Sequence, residues 1–152
     1  MAPLVVMIAA WLIARVIGAT GLWLQVDSWT AALRIALAVM FAFTAISHFH
    51  PRTRPELIRM VPASLPAPGF LVSATGVLEL LGASGLIVQQ ALPWAAYGLI
   101  ALLVAMFPAN VQAARTGLTV AGRPATPLLW RLPLQLFWIA ALWWIRSPTR
   151  GF

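Results

Sequence analysis

The segment VSATGVLELLGASGL, residues 72–86, decides how this sequence must be interpreted. Every residue in it is apolar or small except for one carboxylate, Glu79, near its middle. In a water-soluble protein that carboxylate would need no explanation. At the centre of a membrane helix a charged side chain costs at least about 2.5–3.5 kcal/mol on insertion scales, so it faces the protein interior and needs a partner. The first question is therefore whether the chain lies in a membrane.

The composition of the whole chain favours a membrane protein. Of its 152 residues, 62% are hydrophobic and only 9% are charged, whereas soluble globular proteins have about 45–50% apolar and about 25% charged residues. The length corresponds to one membrane domain, residues 1–152. The net charge of +7 comes from arginines that lie between long apolar runs, as the positive-inside rule expects. We therefore expect the lipid bilayer, and no nucleic acid, as a partner.

Five apolar runs are long enough to cross the hydrocarbon core of a bilayer, which takes about 20 residues of helix. None of them shows the period-two alternation of a transmembrane barrel, so the predicted fold is an all-α integral membrane helical bundle. The first run lacks a basic stretch before it and a cleavage site after it, and we expect a retained helix there rather than a signal peptide. The predicted spans cover approximately residues 3–26, 29–48, 69–89, 93–114 and 128–145.

Arginines are concentrated in alternate connections. HPRTRPELIRMVPASLPAPG after the second run contains three and ARTGLTVAGRPATP after the fourth contains two, while the other two connections contain none. The positive-inside rule places both basic connections in the cytoplasm and the N-terminus on the same side. Arg146 and Arg150 in the tail oppose this orientation weakly.

The first basic connection is predicted to contain a short interfacial helix. Thr53-Arg54-Pro55-Glu56 has the pattern of a capping box, with Thr53 as the N-cap and Glu56 at the third helical position. Apolar residues follow as far as Val61, and prolines then end the helix. We expect residues 54–61 to lie at the membrane interface as an amphipathic segment, with a role in packing alone as the alternative.

Glu79 is predicted to lie near the bilayer centre, since it comes about ten residues, or about 15 Å, into its span. Arg15 is expected at a similar depth in the first span, and Arg34 nearer the outer end of the second. Two interpretations are open. Glu79 could form a buried ion pair with one of these arginines and specify how the helices pack, or it could be a polar anchor in an apolar cavity or a carrier of a proton. Its neighbours three and four positions away are small, which favours close approach of another helix: they are Thr75, Gly76, Gly82 and Ala83.

A second polar cluster is predicted around two proline-broken helices. Pro108 and Pro133 interrupt the fourth and fifth spans near the depth assigned to His48, and polar side chains there could satisfy the loosened backbone groups. The expected members of this cluster are His48, Asn110, Arg131 and Gln135.

The sequence contains no recognisable catalytic, metal-binding or cofactor motif. No nucleophile–base–acid arrangement or Gly-rich phosphate loop is visible, and the chain has no cysteine. His48 and His50 would diverge by about 200° on a helix, so we expect neither a shared metal ion nor a bis-histidine haem within one chain. We therefore predict no catalytic residues and a protein that is not an enzyme by itself.

Five short segments carry a resemblance to a known family. Taken together and in this order, they resemble the DoxX-like family of small bacterial integral membrane proteins over residues 30–146. The resemblance implies a bundle of four spans in the bacterial inner membrane, to which this chain adds the run at residues 3–26. The family's histidine-phenylalanine, glycine-x-x-glutamate and proline-alanine-asparagine motifs fall on His48–Phe49, Gly76–Glu79 and Pro108–Asn110. The five segments are SHFHP, MVPASLPAP, GVLELLGASGL, LVAMFPANVQAA and RLPLQLFW.

The family is named for a subunit of a quinone-linked oxidising system, which leads to our expectation for function. We predict a non-catalytic membrane subunit or module that binds a quinone or lipid-like molecule in a cavity anchored by Glu79, with a membrane or redox partner or as a homo-oligomer. The alternatives are a structural or assembly protein with a buried Glu–Arg pair, and a small proton-coupled transporter. The candidate site residues are Glu79, Arg15, Arg34, His48, Asn110, Arg131 and Gln135.

Overall fold

The computed structural model describes residues 2–21, 28–117, 119–120, 123–124 and 127–147. Within these residues the chain forms six helices and one pair of two-residue antiparallel strands. All helices except the third are long and apolar enough to cross a membrane, which confirms the predicted all-α bundle with five candidate spans. The elements are α1 Ala2–Ala19, α2 Trp29–Phe49, α3 Arg54–Met60, α4 Pro68–Ile87, α5 Leu92–Arg115, β1 Thr119–Val120, β2 Arg123–Pro124 and α6 Leu128–Ile145.

The first helix differs most from its predicted bounds. Helix α1 ends at Ala19 and is followed by Gly21 at a φ of 73°, a left-handed conformation in which glycine commonly ends helices. The predicted span continued to residue 26, and residues 22–26 lie outside the described part of the chain. The four helices that correspond to the other predicted spans, α2, α4, α5 and α6, begin and end within two residues of their predicted bounds.

Helix α2 is the centre of the bundle. It packs against α1, α4 and α6, while α4 packs against α5 and α5 against α6. Helices α2, α4, α5 and α6 therefore close a four-helix core, and α1 lies outside it against α2. Leu37, Leu86, Leu99 and Leu142 are fully buried in this core.

Exposed tryptophans lie at or near the helix ends, as expected of side chains that anchor a protein at the membrane–water interface. Many large apolar side chains are also exposed on the outer surface of these helices. The exposed tryptophans are Trp29, Trp94, Trp130, Trp143 and Trp144.

Helix α4 uses glycines to approach both of its neighbours closely. A Cβ added to Gly76 would lie 2.6 Å from the Cβ of His48 on α2. On the side of α5, a Cβ on Gly82 would lie 2.5 Å from Leu99 Cδ2, and one on Gly85 would lie 2.7 Å from the Cβ of Ala95. Small residues at helix interfaces allow this kind of packing in membranes.

Helix α3 covers the end of the bundle at which α2 ends and α4 begins, which we call the α3 end. Thr53 is its N-cap residue, but the predicted capping box is wrong, because the Thr53 hydroxyl donates to the Ser47 carbonyl at 2.6 Å and makes no cap bond. Arg54 donates to the carbonyl oxygens of His48 at 3.0 Å and Gly69 at 3.1 Å. Arg54 thus joins the end of α2 to the start of α4.

Candidate functional site

The buried carboxylate of Glu79 faces a histidine. Glu79 Oε2 on α4 lies 3.6 Å from His48 Nε2 on α2, and these residues are 4% and 5% exposed. Helical side chains lean toward the N-terminus of their own helix, so His48 leans into the bundle and Glu79 leans toward the α3 end. The contact is made between two helices that Gly76 allows to come close together.

The other ring nitrogen of His48 is held by α4. Its Nδ1 lies 2.8 Å from the Val72 carbonyl oxygen and 3.1 Å from the Thr75 hydroxyl. That hydroxyl is itself 2.9 Å from the carbonyl oxygens of Leu71 and Val72. A carbonyl can only accept, so these contacts assign a hydrogen to Nδ1. A neutral His48 therefore presents a lone pair at Nε2 toward Glu79.

The surroundings of Glu79 offer its carboxyl group no hydrogen for a bond to Oε2. Among the described residues, Oε2 has no hydrogen-bond partner. The Thr44 hydroxyl has two acceptors within reach, the Glu79 carboxyl group and the Phe41 carbonyl oxygen at 3.0 Å, and it has only one hydrogen to donate. This arrangement favours a proton located between Glu79 Oε2 and His48 Nε2.

Of the two interpretations that the sequence left open for Glu79, the described residues do not form the ion pair with an arginine. In the described part of the chain, no arginine forms an ion pair with Glu79. Arg34 instead donates through Nη2 to the Ile87 carbonyl at 3.2 Å, about 12 Å farther along α4 at 1.5 Å per residue. The last carbonyls of a helix lack intrahelical partners, and Arg34 satisfies one of them.

Arg15 lies near the C-terminal end of α1. Its guanidinium is 4.9 Å from the centre of the Trp29 ring, at the start of α2. The predicted depth assumed a helix that continued to residue 26, whereas α1 ends at Ala19.

The predicted polar cluster is divided among separate contacts. Arg131 Nη1 on α6 donates to Asn110 Oδ1 on α5 at 2.6 Å, and Gln135 Nε2 donates to the Leu103 carbonyl at 3.0 Å. His48 is not part of this group. Leu103 directly precedes Val104, whose carbonyl loses its helical partner at Pro108, so the polar contacts between α5 and α6 lie around the proline break.

No site for a metal ion is evident in the residues that the structure describes. No group of three or more histidine or acidic side chains there is arranged to hold one. The imidazole and the carboxyl group of the buried pair are each able to bind and release a proton.

One groove lies between α4 and α5, on the other side of α4 from His48. Its volume is about 530 Å³ and it opens to the outside of the bundle. A smaller groove of about 180 Å³ lies among α1, α2 and α6, where Met7, Trp11 and Phe137 line it. Glu79 lines neither groove, so the expected cavity anchored by Glu79 is not among them. The larger groove is lined by Leu78, Leu81, Gly82, Gly85, Ala91, Trp94, Ala95, Gly98, Leu99, Ala101, Leu102 and Ala105.

Sequence reasoning missed both this groove and the partner of Glu79. Ala91, Ala95, Gly98, Ala101 and Ala105 recur at intervals of three or four residues, which places them on one helix face. That pattern could have indicated the groove. No comparable pattern links His48 to Glu79.

The chain was compared with known protein families, proteins and structures. No curated protein and no solved structure matches it. A family model described as a domain of unknown function (DUF8561) matches residues 37–146. This region extends from the middle of α2 to the residue after α6, and it includes His48, Glu79 and both walls of the larger groove. Because the match covers more than two thirds of the chain, the protein belongs to the DUF8561 family.

Proposed function

We propose that the protein is a DoxX-like module of the bacterial inner membrane that binds a quinone or lipid-like molecule in the groove between α4 and α5. In this proposal the N-terminus and the α3 end are cytoplasmic, as the arginine distribution favours. The chain itself performs no catalysis, and a membrane or redox partner protein uses or delivers the bound molecule. The motifs that resemble the DoxX-like family support the membrane-module part of the proposal.

The observation that carries the proposal is the size and chemistry of the groove. Its volume of about 530 Å³ falls within the range of about 300–1,000 Å³ that is typical of small-molecule pockets. Every lining side chain is apolar. Apart from the indole N–H of Trp94, the lining offers a polar ligand no side-chain hydrogen-bond partner, whereas an acyl or isoprenoid chain needs none.

The shape of the groove also suits a chain-like molecule. From Ala91 to Ala105 it follows α5 for about 21 Å at 1.5 Å per residue, which is a large part of the roughly 30 Å hydrocarbon core. The groove is open to the outside of the bundle, so a molecule can enter it laterally from the bilayer. Gln89 and Gln90 are exposed beside one end of the groove and offer polar side chains to a ring or headgroup.

The proposal moves the ligand away from Glu79. Glu79 faces α2, while Leu78, Leu81 and Gly82 of the same helix line the groove toward α5. The close contacts of Gly82 and Gly85 with α5 form the floor of the groove. At Gly98, in contrast, an added Cβ would meet no atom within 4 Å, so the groove has open space at this position.

The test is native mass spectrometry of the protein purified in mild detergent. We expect a hydrophobic molecule to remain bound to the wild type and to be lost from Ala101→Leu, because the leucine fills the groove. The matched control is Ala140→Leu, an exposed alanine on α6 outside the groove, which should retain the molecule. Equal retention by both variants, or no bound molecule in the wild type, contradicts the proposal.

A structural or assembly role is the second candidate. The observation in its favour is the buried contact between His48 and Glu79, which lies in a closely packed interface and not in a groove. On this alternative, Ala101→Leu would leave all bound molecules unchanged and would alter only the association of the chain with itself or with another membrane protein. Size-exclusion chromatography with light scattering measures that association.

A further inference from the structure

We propose that His48 and Glu79 form a proton-binding site, in which the two side chains hold one proton between them. The site lies between α2 and α4 and does not depend on the groove between α4 and α5. The feature that carries the proposal is the facing pair of atoms, His48 Nε2 and Glu79 Oε2, at 3.6 Å.

The contacts of Nδ1 with α4 hold the His48 imidazole in one orientation, independently of the shared proton. Its Nδ1 faces the Val72 carbonyl oxygen at 2.8 Å, and that oxygen has no hydrogen to donate. The Thr75 hydroxyl near the same nitrogen has two carbonyl oxygens within 2.9 Å for its own hydrogen. Nδ1 therefore carries a hydrogen in every protonation state of the pair, and only Nε2 can gain or lose one.

The carboxyl group faces the imidazole through one of its oxygens. Glu79 Oε2 faces Nε2 and has no hydrogen-bond donor among the described residues. If no proton lay between the two atoms, an ionised carboxylate would face a lone pair in a buried site. An uncompensated buried charge costs several kcal/mol.

A single proton removes this cost in either of two ways. It can lie on Nε2, which gives an imidazolium beside a carboxylate, or on Oε2, which gives a neutral imidazole beside a carboxylic acid. Both forms are neutral overall, whereas a second proton would leave a buried cation. The pair therefore titrates as one coupled unit and not as two independent groups.

The arginines of the surrounding helices form hydrogen bonds with groups other than the His48 ring and the Glu79 carboxyl group. On α3, which also carries Glu56 and Arg59, Arg54 is directed to the main-chain carbonyls of His48 and Gly69. On α6, Arg131 is bonded to Asn110 of α5. Within α2, Arg34 is bonded to Ile87. In the described part of the chain, His48 is the titratable side chain that faces Glu79.

Gly76 acts as a positioning residue for the pair. A Cβ at this position would lie 2.6 Å from the Cβ and 3.0 Å from the Cγ of His48. The distance of 3.6 Å between His48 Nε2 and Glu79 Oε2 is longer than a hydrogen bond of about 2.7–3.2 Å. A small movement of α2 toward α4 would therefore form the hydrogen bond, and a small movement apart would prevent it. The spacing of these two helices thus controls whether the proton can be shared.

The experiment counts protons on both groups in lipid nanodiscs at neutral pH. The chain has only two histidines, so ¹⁵N NMR of His50→Gln, in which the exposed histidine is absent, reports on His48 alone. Infrared spectroscopy with ¹³C-labelled glutamate, as a difference between this protein and the same protein with Glu79→Gln, reports on the Glu79 carboxyl group. We expect Nδ1 to be protonated and one further proton to be found, either on Nε2 or on Glu79.

The outcomes distinguish the proposal from a purely structural contact. A neutral His48 beside an ionised Glu79, or protons on both Nε2 and Glu79, overturns it. Glu79→Gln should remove the shared proton and leave His48 protonated at Nδ1 alone, because the glutamine amide then donates to Nε2. Glu56→Gln is the matched control and should leave both the shared proton and the His48 spectrum unchanged; loss of the shared proton in Glu56→Gln also overturns the proposal. The ¹⁵N NMR measurement on His50→Gln leaves both His48 and Glu79 unchanged, so it tests the proposal even if a variant of the pair fails to fold.

Discussion

Gly76 and His48 lie in direct contact across the interface of α2 and α4, where a Cβ on Gly76 would come within 2.6 Å of the Cβ of His48. Only glycine permits this separation. The same approach brings the His48 ring to the Val72 carbonyl and to Glu79. A single glycine therefore determines both the packing of two spans and the geometry of the buried polar pair.

Replacing Gly76 by alanine should destabilise the protein. The added methyl group must displace the His48 side chain or the helix, and overpacking of this kind costs about 1–3 kcal/mol. The measurement is the free energy of unfolding in detergent or by steric trapping in lipid. Gly98→Ala is the control, because its Cβ meets no atom within 4 Å and alanine is a better helix former by about 1 kcal/mol. Equal destabilisation by both variants would contradict the close contact.

The free energies of His48→Ala and Glu79→Ala should not be additive. Side chains in direct contact typically couple by about 0.5–3 kcal/mol, so the double variant should be less destabilised than the sum of the single variants. The corresponding cycle of Arg34→Ala with Glu79→Ala should be additive to within about 0.5 kcal/mol, because Arg34 is bonded to Ile87, about 12 Å farther along α4 than Glu79 at 1.5 Å per residue. A larger coupling energy between Arg34 and Glu79 would indicate that these two side chains form an ion pair, which contradicts the structure.

Arg54→Met should loosen the α3 end of the bundle. Arg54 makes two hydrogen bonds to main-chain carbonyls of α2 and α4, and bonds from a charged donor contribute about 1.5–3 kcal/mol each when buried. Amide hydrogen exchange in residues 50–72 should become faster, by tenfold or more if about 1.4 kcal/mol is lost. Arg52→Met is the matched control, because the Arg52 side chain is exposed. Similar exchange in both variants would show that these bonds do not stabilise this end.

The number and extent of the spans could be predicted from the sequence because long apolar runs are a local property. Four helices lie within two residues of their predicted bounds. The exception is α1, where apolar residues continue beyond Gly21 although the helix ends there. A hydropathy pattern shows which residues suit a bilayer, but the positive φ of one glycine ends the helix.

The partner of Glu79 could not be predicted because it depends on which helix lies opposite. The small residues around Glu79 correctly indicated a close helix contact, yet they do not identify the neighbour. Opposite charge suggested Arg15 or Arg34, but each of these lies near the end of its span. There Arg34 satisfies a helix carbonyl and Arg15 contacts a tryptophan ring. The position of a side chain along its helix, and not its charge, thus determined which residue lies opposite Glu79.

The orientation of the chain can be mapped with single cysteines, since the natural sequence has none. Ser64→Cys lies in the connection between α3 and α4, and Gln90→Cys in the connection between α4 and α5; both residues are exposed. If the arginine-rich connections are cytoplasmic, a membrane-impermeant thiol reagent should label Gln90→Cys in intact spheroplasts and Ser64→Cys only after permeabilisation. The reverse pattern would invert the orientation.

The most direct test of the proposed ligand groove is photocrosslinking with a diazirine placed on the hydrophobic chain of a lipid or quinone analogue. The adducts are assigned to peptides by mass spectrometry in a bilayer. Binding in the groove predicts adducts concentrated on its walls, in residues 78–85 and 91–105, with loss of those adducts in Ala101→Leu. Adducts spread over all lipid-facing helices, including the exposed Val5 and Val16 of α1, and unchanged in Ala101→Leu would contradict the proposed function.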